Sequence, residues 1–181
     1  YPSGHFDLIY SSNLLEHLPN PKKAILEMKR VMKDGGLMIH VIPNRFWKFL
    51  HLILFYPHKM LTLIEIVLLG RKNSPKAMNN NLKSNRASSN IISRTLWPQI
   101  HGEYPGHIQE FISMGKPFWS KQFEDCDLQF IGLIKGLPAH SPYRFGLKPL
   151  RKLCEYLGLS SCNGYVITKT NYGNKYKKLF K

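Results

Sequence analysis

Acidic residues are scarce in this chain of 181 residues. Eleven Asp and Glu stand against 26 Lys and Arg, a formal net charge of +15 with a pI of about 9.8. From Arg71 to Ile100 there is no acidic residue at all, and such a balance favours an anionic neighbour, either lipid or nucleic acid. Cysteine is also sparse. Cys126, Cys154 and Cys162 are odd in number and form no C-x-x-C pair, which argues against a disulfide framework and for reduced thiols in a cytoplasmic setting. No signal peptide and no internal repeat are visible. No apolar run reaches the roughly 20 residues that a simple membrane span requires, because Pro57, His58 and Lys59 interrupt the longest one.

What is present is enough apolar sequence for a core: 43% hydrophobic residues with 12% aromatics, in a length that suits one domain. Phe6 to Tyr10 is a short apolar run that stops at Ser11-Ser12-Asn13 and reads as a buried strand ending in a polar loop. Asn20-Pro21 then opens a helix, with Asn20 as cap and Pro21 at the first helical position. Ile25, Met28 and Met32 recur at helical spacing, and Gly35-Gly36 is expected to end the helix. Leu37 to Ile42 is a second apolar strand. Strand, crossover helix and strand of this length predict a parallel, right-handed unit.

The order FDLIYSSNLLEHL, NPKKAILEMKRVMKDGG and an apolar strand resembles the second half of the class I S-adenosylmethionine-dependent methyltransferases, in the group related to ubiquinone and menaquinone methyltransferases. The resemblance is clear over 6–43 and fainter from His101 to Thr168, where FWSKQFEDCDLQFI and a last apolar strand follow in the family's order. It implies an α/β fold, the C-terminal half of a Rossmann-like seven-stranded sheet with strands 4-5-7-6 and a helical insertion. It also implies S-adenosyl-L-methionine as cofactor, with Ser11, Ser12 and Asn13 near its methionine and sulfonium, and Glu16 and His17 one turn further on. The family's glycine-rich turn and its ribose-binding acid precede the fourth strand. The chain is therefore expected to be the C-terminal part of a longer protein, with a missing N-terminal half as its partner and weak cofactor binding on its own. One partial methyltransferase domain over 1–181 is expected, divided into a strand-helix-strand core (1–43), a hairpin, loop and cap (44–125), the last strands (126–168) and a basic tail (169–181).

Residues 44–70 carry an apolar helix from Phe46 to Tyr56, which Pro57 is expected to end or kink before a second apolar run from Met60 to Leu69. Two readings stand. One is a helical hairpin in the membrane interface, with aromatic residues at its start and basic residues at both ends. The other is a pair of core helices covering the active site. Residues 71–100 read as a basic loop that would add contact with anionic headgroups at about 1 kcal/mol per basic residue, or that is simply solvated. Short helices are expected at Ile108 to Met114, Phe118 to Asp125 and Pro149 to Leu157, and strands at Leu128 to Ile134 and Tyr165 to Thr168.

Methyl transfer from a sulfonium depends chiefly on positioning, and a hydroxyl acceptor would add a need for a base. By position His17 is the candidate catalytic base, unless it only packs at the helix start. In relatives acting on catechol-like quinone precursors an E-x-x-E-H pattern here is associated with a divalent cation. This chain reads Asn13-Leu14-Leu15-Glu16-His17, with an amide for the first carboxylate, so no metal is expected. His101, Glu103 and His107, with Glu110 nearby, have no recognisable metal-ligand spacing and are expected to line a substrate pocket or form an ordinary polar loop. His40, Phe118 and Trp119 read as structural. The expected function is methyl transfer to a small-molecule or lipid-linked acceptor at the cytoplasmic, inner membrane face, with 44–100 touching an anionic surface. One rival is a non-catalytic membrane-associated remnant of the sheet. Another is RNA binding or modification, although no aromatic-basic RNA motif is present and no specific nucleic acid is expected.

Overall fold

The computed structural model describes residues 1–69, 97–102, 104–134, 137–138, 148–172 and 176. The basic stretch 71–96, Glu103 and most of the basic tail lie outside these residues. Strand β1 (Phe6–Ser12) leads through a 3-10 turn at Leu15–His17 into helix α1 (Pro21–Val31) and strand β2 (Met32–Pro43). Helix α2 (Arg45–Leu69), α3 (His107–Ser113) and α4 (Lys116–Glu124) follow, then β3 (Leu128–Ile134), α5 (Lys148–Tyr156) and β4 (Cys162–Lys169). The four strands form one sheet in the order β1-β2-β4-β3. β1 runs parallel to β2, and β4 is antiparallel to both β2 and β3. In chain order that is the 4-5-7-6 arrangement that the family resemblance implies, with the parallel first pair expected from the strand-helix-strand pattern.

Local chemistry sets α1 as anticipated. The Asn20 side chain accepts from the Lys23 N–H at 3.0 Å and Pro21 occupies the first turn. Its end differs from the expectation. The helix stops at Val31, Met32 already belongs to β2, and Gly35-Gly36 lies inside that strand. The glycines instead accommodate a bulge, because Phe6 faces Met32 while Leu8 faces Leu37. Gly35 has φ +76°, and a Cβ on Gly36 would lie 3.0 Å from the Asp7 carbonyl oxygen. Met32 still fills the core, from the strand rather than the helix.

The core lies under one face of the sheet, where Ile25, Met32, Met38, Trp119, Phe123, Tyr165 and Ile167 are buried together. Helix α1 rests on β2, α4 rests on β3, and the two helices touch. β1 is not the buried strand the apolar run suggests. It pairs only with β2 among the described residues, and its Leu8 and Tyr10 are 55% and 63% exposed.

The expected hairpin is one continuous helix of 25 residues with Pro57 inside it. Asn44 caps it through its side-chain oxygen, which accepts from the Trp47 N–H at 3.1 Å. Proline removes one hydrogen bond, here to the Ile53 carbonyl, at a cost of about 3 kcal/mol. That loss falls on the exposed side, where Ile53 and Pro57 both lie, and it does not stop a helix anchored elsewhere. Among the described residues no helix is long and apolar enough to cross a membrane.

Candidate functional site

The carboxyl ends of the parallel strands β1 and β2 open into a cleft of about 200 Å³. It is lined by Tyr10, Ser12, Asn13, Val41, Leu137, Pro138 and Cys162. Crevices of this kind, outside the carboxyl ends of parallel strands, are where open α/β sheets bind ligands. Asn13 holds a left-handed backbone at φ +49°, a conformation Asn tolerates better than most residues, while its N–H donates to the Val41 carbonyl at 2.9 Å. The two strand ends are thereby tied together beneath the opening. Burial pushes the Cys162 thiol above its usual range, a hydrogen bond with Ser161 partly opposing and the Glu16 charge adding to it.

Of the three residues expected near the cofactor, Ser12 and Asn13 line the cleft, whereas the Ser11 side chain turns the other way. It shares a 2.8 Å hydrogen bond with His40 Nδ1 in the buried interior. His40 is fully buried, stacks on Phe123 at 5.7 Å, and is held by desolvation at a pKa of about 4.

Beyond the cleft the 3-10 turn presents Glu16 and His17 side by side. The Glu16 residue is 2% exposed, and neither carboxylate oxygen accepts a hydrogen bond of ordinary geometry. Burial raises its pKa to about 7, with its own backbone N–H pulling weakly the other way. The His17 side chain is 43% exposed, with Nε2 3.9 Å from Glu16 Oε1. His101 comes from far along the chain to meet them, its ring 4.4 Å from that of His17 and 4.6 Å from Trp47. Desolvation, with His17 and Lys48 contributing, lowers the His101 pKa to about 4.

Gly102 makes this meeting possible. At φ +87° a side chain there would be strained, and its Cβ would lie 2.4 Å from the Glu16 carbonyl oxygen. The His101 N–H donates to Glu110 Oε1 at 3.1 Å. Glu110 accepts in turn from Lys48 Nζ at 2.5 Å, and both side chains are 0% exposed. His107 completes this second group, with Nδ1 3.0 Å from Lys48 Nζ. The structure therefore splits the expected substrate set: His101 joins Glu16 and His17, His107 joins the buried ion pair, and Glu103 lies outside the described residues.

Sequence reasoning missed the roles of Lys48, Tyr10 and Cys162. Lys48 left one signal, a lone cation in the apolar run Phe46–Tyr56, which contains no acid to answer it.

Residues 1–111 match the family model described as a methyltransferase domain. No curated protein matches the chain. Among solved structures it is similar to PKMT2 from Rickettsia typhi in complex with AdoHcy, at 12% identity and a TM-score of 0.45 over 93% of this chain. A second structure of PKMT2 from Rickettsia typhi gives 12% identity and a TM-score of 0.44 over the same share. The chain spans about a third of those structures, 36% of each.

Proposed function

The chain belongs to the methyltransferase-domain family, and we propose that it takes part in methyl transfer from S-adenosylmethionine to a small-molecule or lipid-linked acceptor. The observation that carries this reading is the cleft, which sits at the carboxyl ends of β1 and β2 with Ser12 and Asn13 on its rim. When bound, S-adenosylmethionine supplies an electrophilic methyl carbon on a sulfonium and leaves as a neutral thioether. The polar Ser12 and Asn13 side chains suit the charged methionine end, and the Val41, Leu137 and Pro138 surface suits its aliphatic part. At about 200 Å³ the cleft is below the roughly 300–1,000 Å³ of pockets that enclose a whole small molecule. The residues present fit part of the cofactor, so weak binding is expected of this chain.

His17 is proposed as the base for the acceptor's proton. Its side chain is 43% exposed to an incoming acceptor, with Nε2 3.9 Å from Glu16 Oε1. A positioned base of this kind contributes about 10²–10⁴ in rate.

An amphiphilic acceptor is supported by α2. Trp47, Lys48, His51, Leu54 and Phe55 form its buried face, while Phe49, Ile53, Tyr56 and Met60 recur along the opposite face at 49–59% exposure. A helix apolar on both faces favours a second apolar neighbour, and the basic composition of 71–100 complements an anionic lipid surface on the cytoplasmic side.

The test is an amide NMR titration of the chain with S-adenosylhomocysteine. Shifts centred on Ser12, Asn13, Val41 and Cys162 at millimolar ligand are expected. No shift at that concentration would favour the remnant without cofactor binding, and shifts confined to other segments would overturn the placement of the site.

A further inference from the structure

We propose that Glu16, His17 and His101 form a binding site for a divalent transition-metal ion of the zinc class. Each offers one ligand atom, and the three atoms lie within 4.8 Å of one another. Tetrahedral donors about 2.0–2.2 Å from a common zinc ion are about 3.5 Å apart, so side-chain rotations that draw them together by about 1.5 Å at most complete the set. The donors are the usual ones for an open zinc site: two imidazoles, one carboxylate and a remaining position facing solvent on the His17 side.

Two further observations point to a ligand. Glu16 is buried with both oxygens lacking an ordinary hydrogen bond, and a buried polar group without a partner costs about 1–3 kcal/mol, more when charged. An ion would supply that partner. The surroundings are also built to hold His101 in place. Gly102 brings its backbone against the Glu16 carbonyl, Trp47 packs against the ring, and the backbone N–H is fixed by Glu110, itself locked by Lys48. Supporting contacts of this kind determine whether ligands are preorganised.

The ligand set differs from the carboxylate pattern that the sequence resemblance suggests. Asn13 occupies the position of the first carboxylate and faces the cleft. The third donor comes instead from a loop that no spacing in the sequence connects to Glu16. Imidazole donors favour zinc, nickel or iron over magnesium or calcium, which prefer oxygen. An ion on His17 Nε2 would use the lone pair that otherwise takes the acceptor's proton, so the two roles exclude one another at that atom.

The proposal does not depend on methyl transfer, and its test needs no cofactor. The tag-free 181-residue chain is titrated with Co²⁺ and followed by visible absorption, with Zn²⁺ and Mg²⁺ as competitors. One ion per chain is expected, displaced by Zn²⁺ and not by Mg²⁺. Glu16→Gln and His101→Ala should each weaken binding at least about tenfold, while His5→Ala leaves it unchanged. Equal affinity in His101→Ala and the parent chain would overturn the site, and so would a cobalt–thiolate absorption, which would place the ion at a cysteine. Should a variant fail to fold, paramagnetic broadening in the parent chain decides. The His17 and His101 ring signals should broaden first, and broadening first at other histidines would overturn the proposal.

Discussion

The sheet and helix α2 are both drawn from strongly apolar sequence, yet they use it in opposite ways. In β2 and β4 the apolar side chains close over a shared core, with Met38, Ile42, Val166 and Ile167 at most 1% exposed. In α2 one face is buried through Phe55, and the helix then continues with Met60, Leu63 and Leu68 all more than half exposed. Apolar content alone does not say what a segment buries. The strands answer to hydrogen-bonded neighbours that fix which face is covered, whereas a helix satisfies its own backbone and can carry an uncovered apolar face outward.

The contrast breaks most sharply where α2 joins the rest of the molecule. Lys48→Met leaves the Glu110 carboxylate buried without its cation, a change expected to cost about 3–5 kcal/mol. The double variant Lys48→Met/Glu110→Leu should recover most of that loss in chemical denaturation. If the single variant proves as stable as the parent, the pair does not anchor the helix.

A smaller effect separates the sheet interior from the surface. Burial holds the His40 pKa at about 4, against about 6.5 in an unfolded chain. Between these values the unfolded state binds the proton and the folded state does not, so the His40 contribution is full above about pH 6.5 and falls as pH drops toward 4, while Glu16, raised to about 7 by burial, acts in the opposite direction. At 1.36 kcal/mol per unit the loss is on the order of 3 kcal/mol. His51 and His101, also lowered to about 4 by burial first, act in the same direction as His40. Unfolding free energies measured across this range in His40→Gln should show a shallower slope, and an unchanged slope would remove His40 from the account.

Smallest in stability terms is Ile53→Ser/Met60→Ser on the exposed face, expected to stay within about 0.5 kcal/mol of the parent. Flotation with anionic liposomes should nonetheless fall severalfold in this variant, and should weaken for the parent as salt screens its charge. Equal recovery of variant and parent would mean that the stripe does not touch lipid.

How much of this was legible depends on how local the cause is. The Asn20 cap and the Leu128–Ile134 strand follow from near neighbours and turn chemistry, and the sequence shows them directly, whereas the strand order is what the family resemblance implies. The end of α1 is not legible because two glycines after a helical pattern signal termination equally well as a bulge, and only pairing with β1 distinguishes the two. Pro57 misled for a related reason. Its penalty is fixed, but whether it stops a helix depends on anchoring that single positions do not reveal. The cleft residues Ser12 and Asn13 lie beside their strand and were readable, while the inward turn of Ser11 needs His40 from another strand. The meeting of His101 with Glu16 was beyond reach, since it rests on Gly102, Trp47 and Glu110, which arrive from three separate segments.

Cofactor contact is proposed at the sheet ends and lipid contact at α2. Amide hydrogen exchange on one sample, with saturating S-adenosylhomocysteine and separately with anionic liposomes, tests that division most directly. The nucleoside should slow exchange over residues 10–17 and 41–43, and liposomes should slow it over 45–69, with little crossover. Protection of the same segment by both ligands, or of the sheet ends by neither, would contradict it.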